Sequence, residues 1–426
     1  MKKSVFLFLL TLLPLAANAD ESGTCGENLT WTYVEATKTL TISGEGEMQN
    51  YIESRAPWPD SVWYVIIEDG VTSIGHSAFT GYTSLTSVTI GNSVTSIGFD
   101  AFYRCTSLTS VIIGNSVTSI SGSAFEGCRR LTVTFHCANI GSWFSGLSSI
   151  KEVIIGDEVT SIGHSAFQEC NSLTSVRIGN SVTRIGDQAF FHCTSLTSVT
   201  IGNSVSSISE GAFSGCTSLT SITIPNSVTR IDERAFSGCT SLTSVTIGNS
   251  VNNIGKYAFA ACSHLTSVDF GNSVEYIGAH AFTSCDLQGI CFPASLKEID
   301  EDAFKGELLA ADGKTFYGGN KNISQVEIHA VRPPACTGKI FEDNVYRTAP
   351  LHVFTGSCEY YYSALGWNHF YTIYDDEIKY IQTDDGLKIV RQSPVFDLTG
   401  RKISNGGDTE GLKGIYIVDG KKVWFR

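Results

Sequence analysis

Apolar residues recur along this chain as L-x-x-V-x-I, and the pattern returns every 23 residues with few exceptions. Copies include Leu85/Val88/Ile90, Leu108/Val111/Ile113, Leu173/Val176/Ile178, Leu196/Val199/Ile201, Leu219/Ile222/Ile224 and Leu242/Val245/Ile247. Leu265/Val268/Phe270 and Leu287/Ile290/Phe292 continue the series. The last two apolar positions alternate with polar ones, as a half-buried strand requires, and β-branched residues dominate them. A Gly-Asn-Ser or Pro-Asn-Ser corner follows, as at Gly202-Asn203-Ser204 and Pro225-Asn226-Ser227. Gly and Asn tolerate the positive φ that a tight corner often needs. V-x-x-I, as at Val182/Ile185, then returns apolar side chains to the core. An Ala-Phe pair, with its ring at Phe79, Phe102, Phe125, Phe167, Phe190, Phe213, Phe236, Phe259, Phe282 and Phe304, packs from the convex side and fills the coil centre.

A fixed period of this size predicts a solenoid, in which each coil buries its apolar face only against its neighbours. The expected fold is an α/β-type repeat solenoid, mostly β, with a parallel sheet on one face and small β caps. About eleven coils occupy residues 62–304. The period breaks between Phe125 and Phe167, 42 residues apart, where Trp143-Phe144 takes the Ala-Phe place and the strand is compressed to Leu131/Val133/Phe135. That shortened coil predicts a local kink.

Cysteine changes the picture less than its abundance suggests. Eight of the 13 cysteines, from Cys105 to Cys285, stand three residues after a repeat Phe, one per coil. Free Cys behaves as a small buried hydrophobe, so the series reads as a stacked thiol ladder. Tyr82 holds the same place in the first full coil, which a required bridge or metal ligand would not allow. Metal ligands are sought at short spacing such as C-x-x-C; none occurs, and no metal or cofactor is expected. Cys25, Cys137, Cys291, Cys336 and Cys358 fall off the ladder, and a disulfide among those five is left open.

The first 19 residues read as a secretory signal: Lys2 and Lys3, an apolar run from Val5 to Leu15, then Ala17-Asn18-Ala19 as a cleavage site. Their removal would take the net charge from −13 to −15. No Lys/Arg cluster exists to bind phosphate, which disfavours nucleic-acid partners and anionic membrane surfaces. No other stretch approaches the apolar length of a transmembrane helix.

The C-x-S-L-T-S-V-T-I-G-N-S-V-T-S-I-G run and the A-F-x-x-C anchor resemble the BspA-type leucine-rich repeat over Val62 to Phe304, a family common in surface proteins of Bacteroidales. The resemblance implies a right-handed leucine-rich-repeat solenoid, a surface or secreted location, adhesion to host proteins, and no catalytic residues. Thr24–Trp31 followed by Thr39–Gly44 is similar to the β-hairpin that often precedes such repeats, so residues 20–61 are expected to cap the open end. In residues 305–377, Ile323/Val326/Ile328 predicts a further repeat-type strand. Leu351-His352-Val353 and Tyr360–Trp367 predict a strand and a short amphipathic helix. Residues 378–426 resemble a type IX secretion sorting domain through Val395–Lys402 and Gly414–Val423. Alone, these segments are hairpin signals, and a small accessory β-unit is the plainer reading.

Chemistry is sparse. His76, His136, His164, His192, His264 and His280 are scattered through the repeats, and no G-x-S-x-G, phosphate loop or H-E-x-x-H occurs. An enzyme is not expected. The outward sheet positions, Ser and Thr in most coils, read most simply as soluble strand formers. The functional alternative is a hydroxyl-lined face that binds an extended extracellular protein or a glycan. Candidate contacts are Ile112, Arg177, Thr200, Thr223, Thr246 and Asp269; Ile112, Arg177 and Asp269 depart from the Ser/Thr rule. The proposed positions hold no Trp or Tyr platform for a sugar.

Overall fold

A computed structural model describes residues 20–52, 55–306, 308–309, 315–316, 320–375, 378–383, 386–391, 395–396, 402–404, 414–418 and 421–425. The signal expectation falls on residues 1–19, outside the described residues. The chain forms two compact units, Met1–Leu131 and Thr132–Arg426. Each is a mostly β, parallel solenoid, and the two helices described, Asp343–Thr348 and Cys358–Ser363, have six residues each.

In the first unit, strands Tyr64–Ile67, Ser87–Ile90 and Ser110–Ile113 pair in parallel, with Val65, Val88 and Val111 in register. Alternation buries the Val and Ile side chains and turns Thr89 and Ile112 to solvent. A second, narrower parallel sheet comes from V-x-x-I and joins Val71–Ile74, Ser96–Ile97 and Ser119–Ile120. The N-terminal cap is larger than a hairpin. Glu21–Thr24, Leu29–Val34 and Thr39–Gly44 form an antiparallel meander whose last strand pairs in parallel with Tyr64–Ile67.

The second unit repeats this plan. Ile150–Ile155, Ser175–Arg177 and Ser198–Thr200 pair in parallel, as do Ser221–Thr223, Ser244–Thr246 and Ser267–Asp269. The sheet is interrupted between Thr200 and Ser221. Ile290–Phe292, Val326–Ile328, Leu351–Val353 and Thr372–Tyr374 form a further parallel run. Ile378–Thr383 and Gly386–Arg391 then add antiparallel strands. The expected repeat-type strand at Val326 is therefore present; the helix expected over Tyr360–Trp367 instead begins at Cys358 and ends at Ser363, and Asp343–Thr348 carries no repeat signal. In the tail, Val395–Phe396, Lys402–Ser404, Gly414–Val418 and Lys421–Phe425 form one antiparallel sheet.

Rings and thiols line the interior. Within the second unit Phe167, Phe190, Phe213, Phe236, Phe259, Phe282 and Phe304 stack at 5.1–5.4 Å between centroids, with planes within 7°. Phe144 occupies the expected place beneath Phe167, at 5.8 Å. Each ladder thiol donates to the carbonyl of the Phe 26 residues earlier, as Cys216 Sγ does to Phe190 O (3.2 Å) and Cys239 Sγ to Phe213 O (3.2 Å). Tyr82, at the ladder position of its coil, keeps the same contact with a phenol: its hydroxyl donates to Trp58 O (3.0 Å). All 13 cysteines are free thiols, including the five off the ladder.

Two local devices differ from the sequence expectation. The corner glycines do not serve a positive φ at Gly202; a Cβ there would lie 2.1 Å from the Gly179 carbonyl oxygen, so close approach between coils is the constraint. Left-handed backbone sits instead around the Ala-Phe turn, for example at His192 (φ 55°), Ala261 (φ 59°) and Gly215 (φ 74°). Many repeat threonines are also more than soluble strand formers. Thr197 Oγ1 donates to Thr174 O (3.0 Å) and Thr243 Oγ1 to Thr220 O (3.1 Å), tying each coil to the one before.

Candidate binding face

The outward position between Val and Ile forms a column up each sheet, because parallel strands in register place equivalent residues side by side about 4.8 Å apart. In the first unit Ile66, Thr89 and Ile112 share one column, and Ile112 is 39% exposed. In the second unit Ile154, Arg177 and Thr200 are in register, as are Thr223, Thr246 and Asp269. Arg177, Thr200, Thr223, Thr246 and Asp269 are all exposed. Their register and exposure follow from the alternation of the strand, since the flanking Val176, Ile222 and Val245 are buried at 2–3%.

Two of the troughs on this face of the second unit include the candidate residues. The larger, about 810 Å³, lies across the sheet interruption and brings together Thr200, Thr223, Thr246 and Asp269, with Asn203, Asn226 and Asn249 at the corners. The smaller, about 320 Å³, brings Arg177 and Thr200 together with Asn180 and Asn203. Asn180 and Asn226 each accept the next coil's backbone N–H, at 3.2 Å from Asn203 and 2.7 Å from Asn249. The corner amides are thereby held in place. Among the described residues, the hydroxyls of Thr200, Thr223 and Thr246 make no hydrogen bond within the protein, unlike the stapling threonines. They present donors and acceptors outward.

Beyond Asp269 the column changes chemistry. Cys291, Glu327, His352 and Tyr374 occupy it in successive strands, in register. His329, just past the end of the strand Val326–Ile328, brings its Nε2 to 2.9 Å from Glu327 Oε1 and 3.7 Å from Cys291 Sγ. Burial, then the charges of Glu327 and Asp269, push the Cys291 thiol pKa up. A search for metal ligands at short spacing passes over this group, because Cys291 and His329 are 38 residues apart. The one local sign is Glu327-x-His329 at the end of an alternating strand. Cys291, Glu327 and His329, none of them named as a candidate contact from the sequence, offer three ligand atoms within 4.8 Å of one another.

Stacked parallel coils with an interior ladder of thiols and rings define a leucine-rich-repeat solenoid. The model of the BspA type leucine rich repeat region matches residues 51–143, 138–210 and 183–309, and the chain belongs to that family. Leucine-rich-repeat proteins bind other proteins and are typically non-enzymatic. Among solved structures, the chain is similar to a leucine-rich repeat protein from Eubacterium ventriosum, with 24% identity, 70% of this chain and 100% of that one covered, and a TM-score of 0.33. A leucine rich cell surface protein from Faecalibacterium prausnitzii gives 24% identity, 84% and 96% coverage and 0.35. A leucine-rich repeat protein from Bacteroides ovatus gives 21%, 80%, 96% and 0.30. No curated protein matches the chain. Among the described residues, no helix is long and apolar enough to cross a membrane.

Proposed function

We propose that this chain is a non-catalytic binding protein, exported and displayed at the cell surface, whose second unit docks an extended segment of a host extracellular protein. The observation that carries the reading is the exposed column Arg177, Thr200, Thr223, Thr246, Asp269, with unbonded hydroxyls between a cation and a carboxylate. At about 4.8 Å per coil these five positions span roughly 20 Å. An extended peptide of about six residues covers that distance. Such a ligand would offer a carboxylate towards Arg177 and a basic group towards Asp269, with backbone amides over the threonines. The basic, apolar and small-residue segments of residues 1–19 support export. The resemblance of residues 378–426 to a sorting domain supports delivery to the outer-membrane surface.

Wild-type protein and R177E/D269K are compared in pull-downs against extracellular-matrix proteins and mucins. Retention of at least one wild-type partner, weakened about tenfold or more in the double variant, is the expected result, since each exposed interfacial charge contributes to rate and specificity. No partner in either class would remove the adhesion reading. Hits confined to a glycan array would replace it with glycan capture, although no Trp or Tyr stands between Arg177 and Asp269 in the column.

A further inference from the structure

The geometry points to a divalent transition-metal site, of zinc type, formed by Cys291 Sγ, Glu327 and His329 Nε2 where the second unit's sheet face continues beyond Asp269. Two of the ligands hold strand positions, Cys291 and Glu327 being register partners, and His329 directly follows the strand Val326–Ile328. Thiolate, imidazole and carboxylate together suit a borderline-soft ion such as Zn²⁺ rather than Ca²⁺ or Mg²⁺, which prefer oxygen alone. The spacing fits as well. Zn–S of about 2.3 Å and Zn–N of about 2.05 Å at a tetrahedral angle place sulfur and nitrogen about 3.6 Å apart. The observed separation is 3.7 Å. The Glu327–His329 distance of 2.9 Å is that of a hydrogen bond, and a small carboxylate rotation opens it to accept the ion.

The electrostatics favour a cation over the rival use of the same atoms, a thiol nucleophile with a histidine base. A catalytic thiol needs its pKa lowered by positive surroundings. Here the neighbours of Cys291 are a carboxylate at its register partner Glu327 and another at Asp269 one coil before, which attract a cation. A divalent ion that binds here displaces the thiol proton to solvent as the sulfur–metal bond forms. Three protein ligands leave a fourth position open, the arrangement in which zinc can also take an oxygen or nitrogen from a partner molecule. The site continues the column one coil beyond Asp269, and its test does not depend on any protein ligand.

Full-length protein is titrated with zinc chloride against a chromogenic indicator, and with cobalt(II) as a spectroscopic probe. One equivalent should bind, with a near-ultraviolet thiolate-to-cobalt band. Cys291→Ser should remove the band and weaken zinc binding by more than about 100-fold, beyond the effect of outer-shell changes. His329→Ala should weaken it comparably, while Cys336→Ser should leave it unchanged. Cys291 and His329 are exposed, so both variants are expected to keep the wild-type melting curve. Wild-type affinity in C291S, or cobalt binding without a thiolate band, would overturn the assignment.

Discussion

Replacing Phe213 with Ala probes the interior ladder at its centre. The ring is fully buried, lies 5.2 Å from Phe190 and 5.4 Å from Phe236, and is nearly parallel to both. Losing its transfer free energy costs about 1.5–3 kcal/mol, and the residual cavity raises the total to about 3–5 kcal/mol. Offset stacking on both faces, worth about 0.5–1.5 kcal/mol per pair, places the value at the upper end. The neighbours cannot close the gap, because backbone bonds fix the coil spacing on either side. Phe190 N donates to Ala212 O and Phe213 N to Ala235 O, both at 2.8 Å. We therefore expect F213A to lose about 5 kcal/mol in urea unfolding followed by far-ultraviolet circular dichroism. F213L should lose a minor part of that. Contacts in a solenoid are limited to adjacent coils, so hydrogen exchange should quicken first at the Phe190 and Phe213 amides. A loss below about 1 kcal/mol with unaltered exchange would refute the account of the rings as the structural axis.

Two other perturbations test the turn geometry and the thiols. Ala261 holds a left-handed conformation (φ 59°) at the place where Gly215 and Gly238 stand in other coils. Ala261→Gly should raise stability by about 1 kcal/mol, the relief of left-handed strain less the added freedom of the unfolded chain, read as a higher urea midpoint. Burial raises the ladder thiols, Cys170 and Cys239 each to about 12 from 9.0. Their folded pKa exceeds the unfolded one, so their contribution is full below about pH 9 and is lost as pH rises towards 12. Native protein at pH 8 should expose Cys291 rapidly to a thiol reagent and the ladder only in denaturant. Fast reaction of the ladder without denaturant, or a flat stability profile above pH 9, would contradict it.

What the sequence revealed was whatever repeats. The phenyl and thiol positions project one residue per coil, so Phe144 could be placed even in a shortened coil, and the exposed column could be named from alternation alone. The ends of the ladder were hidden. Trp58 stacks on Phe79 at 5.0 Å and Phe341 on Phe304 at 5.4 Å, yet neither stands in an A-F-x-x-C anchor. The narrow second sheet was invisible because V-x-x-I leaves only two residues to pair. Hydrogen bonds between coils, which use Thr and Asn side chains, and the clash that excludes a Cβ at Gly202 depend on the neighbouring turn rather than on local composition. The Cys291 group escaped for the same reason: Cys291 and His329 are 38 residues apart and meet only across paired strands.

The offset of 26 residues between each ladder sulfur and its carbonyl acceptor has an evolutionary corollary. Every thiol belongs to one coil and its acceptor to the previous one. Excising or duplicating any 23-residue segment of this register rejoins identical donors and acceptors across the seam. Recombination within the gene can therefore shorten or extend the sheet face in steps of about 4.8 Å, with no new pairing to invent at the junction.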